Sequence, residues 1–394
     1  MRYITSGWLL SGVLVACPLV THAETVWTFE PSVRLGIEYN DNIRLVTTAR
    51  DAVWGRSIVP KVDMEAKSRR SLTKIGAELI YTNYTKNEVN NRNLQRFTIL
   101  SRFQQTPRNR WDLIGNLLRD TVLTPISPGL GLPGSLPDPD EGDDNDARRN
   151  RLRLTPSWTR SLTARDALII NYQLYDVTYV GDTGVNTLVD NRSQGMGLTY
   201  KRQVSKKTAV SAVGIVSKYE APDVDTVASD VSLLARVGHT FSETLDGVLE
   251  VGYRDTETKY GPQEDQSSNP LYRARLTQSL SDVTGYQLLL QRRLLPSGTG
   301  GIVESDRADL QFRRKIKQTL TFAMNFRYFK NETVGSTAPS RRDRWYYFIQ
   351  PKLIKALGRN WRVDVSYRYR RQKLKTSNRS ADSNAAYANI KYKW

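Results

Sequence analysis

The chain has one cysteine, Cys17, and two histidines, His22 and His239, among 394 residues. One thiol can form no intrachain disulfide and no thiolate cluster for a metal. Histidine-dependent catalysis would rest on His239, in "RVGHTF" beside the turn "SETL", on a parity that points to lipid. Neither a Gly-rich phosphate loop nor a His/Cys metal cluster is present. The residues therefore read as a non-enzyme with no cofactor and no metal. Long apolar runs are also missing. No stretch reaches the ~20 consecutive apolar residues of a spanning helix, and mean hydropathy is negative. That excludes a helical membrane protein. It does not exclude a transmembrane β-barrel, in which only alternate residues meet lipid. Nor is there an amphipathic helical stretch to cover the apolar face of a large soluble sheet. A propeller would show a repeated blade signature, and none is found.

Alternation runs along the whole chain. "SVRLGIEYN" sets Val33, Leu35, Ile37 and Tyr39 against Arg34, Gly36, Glu38 and Asn40. "WRVDVSYRY" sets Trp361, Val363, Val365, Tyr367 and Tyr369 against Arg362, Asp364, Ser366 and Arg368. Period two means strand with one apolar face. Short links ("SRRS", "TPRNR", "SLTAR", "VSKK", "SETL", "SDVT", "KIKQ", "ALGRN") rotate with long ones, at 41–55, 86–93, 122–149, 180–190, 218–229, 256–270, 295–305, 331–343 and 372–383. The expected fold is all-β: an antiparallel transmembrane barrel of about 18 strands, with short periplasmic turns and long extracellular loops. Tyr (20) and Trp (8) are plentiful enough for two aromatic girdles. Pro60, Pro156 and Pro351 interrupt alternating stretches and are expected at bulges or strand ends. The stretches "AVSAVGIVSKY" and "VSLLARVGH" are apolar on both parities, which leaves their register open.

The two ends carry export and assembly signals. "MRYITSGWLLSGVLVACPLVTHAET" offers Arg2, an apolar core from Trp8 to Ala16, and a small-residue cleavage site after Ala23. "LVAC", ending at Cys17, is a competing lipidation site; cleavage after Ala23 is preferred because barrels seldom need a lipid anchor. The expected domains are thus a signal peptide over 1–23 and the barrel over 24–394, in a Gram-negative outer membrane. At the other end "NAAYANIKYKW" alternates to a final Trp394, with Tyr392 two residues before it. An aromatic last strand resembles the mark by which the barrel-assembly machinery recognises its clients.

One short stretch carries a resemblance. "GIEYNDNIRL" resembles a signature that follows the first strand in a family of outer-membrane barrels linked to exopolysaccharide-biosynthesis and exosortase gene sets. Tyr39, Asn40, Asp41, Asn42 and Ile43 carry it. In character the basic chain also looks like the alginate-export channel. The resemblance implies polysaccharide export through the pore, fed by periplasmic polysaccharide-export proteins, and brings no catalytic residue.

Acidic residues are in short supply. Lys plus Arg number 58 against 40 Asp plus Glu, a formal charge of +18. An exported chain does not meet nucleic acid, so the charge needs another partner. A strand cation facing lipid costs about 2–4 kcal/mol at midplane, so strand charges should face the lumen. Parity places Arg96, Arg102, Arg151, Arg153, Arg273, Arg275, Arg293, Arg307, Arg313, Arg327, Arg344, Lys352, Arg362, Arg368, Arg370, Lys391 and Lys393 inward. Fewer acids share that side: Asp63, Glu65, Glu78, Asp112, Glu250, Asp309 and Asp364. The basic excess is densest in the last third, as one wall of positive potential that would select anions. Inward Tyr346 and Phe348 would offer ring faces to sugars or pack against a plug. The longest link, residues 122–149, carries Asp138, Asp140, Glu141, Asp143, Asp144 and Asp146, and would gate the basic wall if it folded inward. Three readings follow: export of an anionic exopolysaccharide, an anion-selective uptake porin, and an adhesive surface barrel with a plugged lumen.

Overall fold

The computed structural model describes residues 25–47, 50, 52–85, 91–121, 147–180, 188–334, 343–375 and 379–394. The signal region with Cys17 and the acidic gate residues Asp138 to Asp146 lie outside the described residues. The strands are β1 (Val26–Asn40), β2 (Val53–Lys67), β3 (Ser71–Tyr84), β4 (Arg92–Gln104), β5 (Asn109–Thr121) and β6 (Arg148–Ser161). Next come β7 (Asp166–Val180), β8 (Asn191–Gln203), β9 (Thr208–Ala221), β10 (Thr226–Ser242), β11 (Leu245–Tyr260) and β12 (Gln263–Ser281). The last are β13 (Thr284–Pro296), β14 (Ile302–Lys317), β15 (Leu320–Val334), β16 (Arg344–Ala356), β17 (Trp361–Leu374) and β18 (Ser380–Lys393).

Each strand pairs antiparallel with its sequence neighbours, and β1 also pairs with β18, from Ser32↔Lys393 to Asn40↔Ala385. The 18-stranded sheet is therefore a closed barrel, as expected from the alternation. Closure leaves no free edge along the wall, the condition for a sheet to survive in lipid. The apolar parity faces outward. Leu233 is 69% exposed and Leu249 51% exposed, an arrangement that suits a barrel dissolved in hydrocarbon rather than water. Aromatics cluster at both ends of this outer face. Trp111 meets Trp158 (6.3 Å) and Tyr392 meets Trp394 (4.9 Å) at the short-turn end. Tyr39 meets Trp54 (5.1 Å) and Trp345 meets Tyr347 (6.0 Å) at the long-loop end.

Three expected long links are shorter than the sequence suggests. Residues 218–221 and 226–229 are strand, joined by a single 3-10 turn at Pro222–Val224. The stretch 256–270 is mostly the tall β11–β12 hairpin, paired from Tyr260↔Gln263 downward. Residues 302–305 belong to β14, leaving 297–301 as the connection. Above the membrane both faces of a strand meet water, so the polar-apolar rhythm that marks a strand disappears while the ladder continues.

The prolines behave differently from expectation too. Pro60 pairs with Val33 of β1, but the β2–β3 ladder skips from Ile58↔Tyr81 to Lys61↔Glu78. Pro156 and Pro351 likewise keep one neighbour, while the ladder on the other side skips from Leu154↔Leu174 to Ser157↔Asn171 and from Ile349↔Tyr369 to Lys352↔Ser366. The register is the same on both sides of each gap, so these are missing rungs and not bulges. The open register of β9 and β10 resolves with Val216 and Val231 outward and Val213 and Ser232 inward.

Candidate functional site

The inward parity holds most of the charge, and acids neutralise part of it. Arg96 bonds Glu78 (3.3 Å), Arg102 bonds Asp112 (2.8 Å), Lys352 bonds Asp364 (2.8 Å) and Lys393 bonds Glu30 (2.7 Å). Arg307 and Arg327 share Asp309, Arg327 at 2.8 Å. Arg151 shares Asp120 with Arg149, at 2.5 and 3.0 Å. Asp120 and Arg149 escaped the sequence reading, although Arg149 has the parity of Arg151 and Arg153. These pairs hold the wall together and leave little charge for a solute.

The cations of the last third do not form one open wall, because an inward-folded segment covers several of them. Residues 41–46, the end of the "YNDNIRL" stretch, turn back into the mouth of the barrel. Asn42 is wholly buried. Its Nδ2 donates to the carbonyls of Val46 (2.8 Å) and Asp382 (2.9 Å), and its Oδ1 accepts from the Val46 N–H (3.0 Å). Asp41 ties the β1–β18 seam by accepting from the Asn384 backbone N–H (2.6 Å) and Nδ2 (2.7 Å). Arg370 donates to the carbonyls of Asn42 and Ile43 (both 3.2 Å), and Gln372 donates to the Leu45 carbonyl (2.9 Å). Leu45 sits at φ 54°, a backbone region unfavourable for leucine, and is held by packing on Phe329, Tyr346, Phe348 and Ala381. Tyr346 and Phe348 thus pack against this segment and offer no free ring face. Arg344 is buried, donating to Gln372 (3.3 Å). Arg368 is buried over the Tyr387 ring and donates to its hydroxyl.

A second segment narrows the same mouth. The β13–β14 connection leaves the β12 ladder above Tyr272↔Arg292 and folds inward. Leu294 and Ile302 pack on Val189, Tyr219, Ala221 and Ala228. The Val189 N–H donates to the Gly298 carbonyl (2.8 Å). Gly300 is positioned so closely that a Cβ there would lie 2.3 Å from Val224 Cγ2.

Below these segments lies a different set of arginines. Arg153 projects from β6, while Arg273 and Arg275 project from β12 and Arg293 from β13, six and seven strands away around the ring. The charged neighbours of Arg293 are Arg273, Glu250, Arg153 and Arg307, so the cluster reaches across the lumen from both walls. Its acid, Glu250, is already held by Arg236 through Nε (2.6 Å) and Nη2 (2.5 Å). Arg307 is held by Asp309. No ion pair holds Arg153, Arg273, Arg275 or Arg293 among the described residues. Guanidinium groups left unpaired in a lumen attract anions and offer a planar two-point contact to carboxylate or phosphate. Nearer the short-turn end, Arg313 lines a recess of about 590 Å³ with Gln287, Gln311 and Asn325, and Arg362 lies opposite Lys391. His239 faces outward, bonded to Thr208 (2.8 Å) and edge-on to Phe241 (4.6 Å).

Residues 220–394 match the profile of the family described as Putative beta-barrel porin 2, a span that takes in β10 to β18. The match covers less than half of the chain; the fold as a whole is a closed 18-stranded antiparallel barrel like that of outer-membrane porins. Solved structures similar to it include OccAB3 of Acinetobacter baumannii (10% identity, TM-score 0.48, 93% of this chain and 99% of that one). OccK2 (OpdF) of Pseudomonas aeruginosa, crystallised with glucuronate, gives 11% identity and a TM-score of 0.49 over 93% and 97% of the two chains. OprD of Pseudomonas aeruginosa gives 11% identity and a TM-score of 0.43 over 93% and 95%. No curated protein matches the chain.

Proposed function

We propose that this barrel is an anion-selective uptake porin whose central filter is Arg153, Arg273, Arg275 and Arg293. The observation that carries the reading is that Arg153 of β6 and the arginines of β12 and β13, six and seven strands round the ring, share one stretch of lumen with no ion pair among the described residues. Their repulsion costs the empty protein stability and is relieved when a small anion enters, so passage of anions is favoured and cations are turned back. Export of an anionic exopolysaccharide, which the resemblance carried by Tyr39 to Ile43 implied, asks for an open outer mouth. Residues 41–46 and 297–301 occupy part of that mouth, and this favours small solutes over a polymer. The porin description of the matching family agrees with uptake as well as with export.

Liposome swelling tests the reading. Proteoliposomes should admit a small sugar acid faster than a neutral sugar of the same size, and a small organic cation slowest. R153A/R273A/R293A should abolish that order while the neutral sugar still enters. A cation preference in the native barrel, or an order that survives the triple substitution, would refute the filter.

A further inference from the structure

At the short-turn edge of β14–β17 the outer wall carries cations that the lumen reading does not use. A register shift between Lys315 and Lys317 brings Lys317 opposite Leu320. On the other flank of Leu320 stands Lys355, which also faces Val363. Arg314 lies one row deeper, opposite Phe322, and Arg359 follows in the β16–β17 turn. Among the described residues none of Arg314, Lys317, Lys355 and Arg359 pairs with an acid. At the other end of the same wall Arg292 bonds Asp306 (2.7 Å) and Lys330 bonds Glu332 (2.8 Å), while Arg371 and Lys373 carry no ion pair among the described residues. On the midplane side of Lys317 and Lys355 the wall is apolar, with Leu353 exposed and Phe312 against Phe322 (6.2 Å), while Leu357 and Trp361 close the turn at the membrane edge.

This layering is what a phospholipid has in reverse: an anionic head at the membrane edge and chains directed toward the midplane. Neighbouring strands stand about 4.8 Å apart, so Lys317 and Lys355, two strands apart, bracket roughly 10 Å of headgroup space. Long basic side chains at such a depth extend their charge to the headgroup level while their stems cover apolar surface. We infer that Arg314, Lys317 and Lys355 form a binding site for an anionic phospholipid of the periplasmic leaflet, its phosphate held by the three cations and its chains laid on Phe322, Leu353 and Phe312.

Native mass spectrometry of the whole barrel released from detergent tests this, with cardiolipin, phosphatidylglycerol and phosphatidylcholine of matched chains as probes. The native protein should retain the anionic lipids over phosphatidylcholine. R314Q/K317Q/K355Q should lower that retention at least tenfold, given an effect on the order of fivefold per cation near a charged surface, and leave phosphatidylcholine unchanged. R371Q/K373Q, at the opposite end of β17, should retain lipid like the native chain. If the triple variant does not fold, K317Q and K355Q singly should each show a severalfold loss. Equal retention by native and substituted barrels would overturn the site. So would full displacement by inorganic phosphate, which would mark a free-anion site instead of a lipid site.

Discussion

Asn42→Ala should release the inward-folded segment from the mouth of the barrel. The Asn42 side chain makes three hydrogen bonds from a wholly buried position, two to carbonyls and one from the Val46 N–H. At about 0.5–1.5 kcal/mol net for each bond, their loss weakens the closed position by about 2–4 kcal/mol. The strained φ of Leu45 adds a further tendency to leave. The barrel wall is untouched, because its ladders do not depend on Asn42. Ala381 lies under Leu45 and is 1% exposed, so A381C is a reporter buried only while the segment is closed. With 1.4 kcal/mol for each factor of ten, N42A should speed thiol labelling of A381C by roughly 30- to 700-fold in folded protein. Single-channel conductance should rise with it. Equal labelling rates in the two backgrounds would refute the claim that Asn42 holds the mouth.

Three other outcomes follow from the same contacts. Asp120→Ala leaves Arg149 and Arg151 buried without their carboxylate, and a loss of about 3–5 kcal/mol should appear as a lower temperature of heat modification on gels. Gly300→Ala forces a Cβ into Val224 at φ 82°, whereas nothing lies within 4 Å of a Cβ at Gly301; G300A should therefore destabilise the 297–301 tip by about 1–3 kcal/mol and raise conductance, and G301A should do neither. The Trp394 ring packs on Tyr392 (4.9 Å), beside the seam that its backbone N–H ties to the Pro31 carbonyl (3.3 Å), so W394A, which removes the ring contact, should lower the heat-modification midpoint and reduce the folded fraction in the outer membrane.

Much of the wall was legible in the sequence because period two is enforced by lipid on one side and water on the other. The inward placement of Arg153, Arg293 and Arg327 follows from parity alone. Parity does not say which charge meets which. Arg153 and Arg293 are 140 positions apart in sequence and come together only through the curvature of the closed ring, while Arg327 finds Asp309 on the adjacent strand. The fate of Arg370 was hidden for a related reason. Its partners are the carbonyls of Asn42 and Ile43, more than 300 residues away, and no side-chain pattern marks a backbone acceptor. The "YNDNI" stretch stood out as a signature. Its structural use, tying the β1–β18 seam and filling the mouth, depends on contacts that local propensity does not encode.

The most direct measurement is the reversal potential of single barrels in a planar bilayer under a salt gradient. The account predicts anion selectivity in the native protein, which R153A/R273A/R293A should reduce toward neutrality. Substitutions at the paired Arg96 and Arg327 should change it far less. Cation selectivity, or an anion selectivity indifferent to the three arginines, would contradict the central claim.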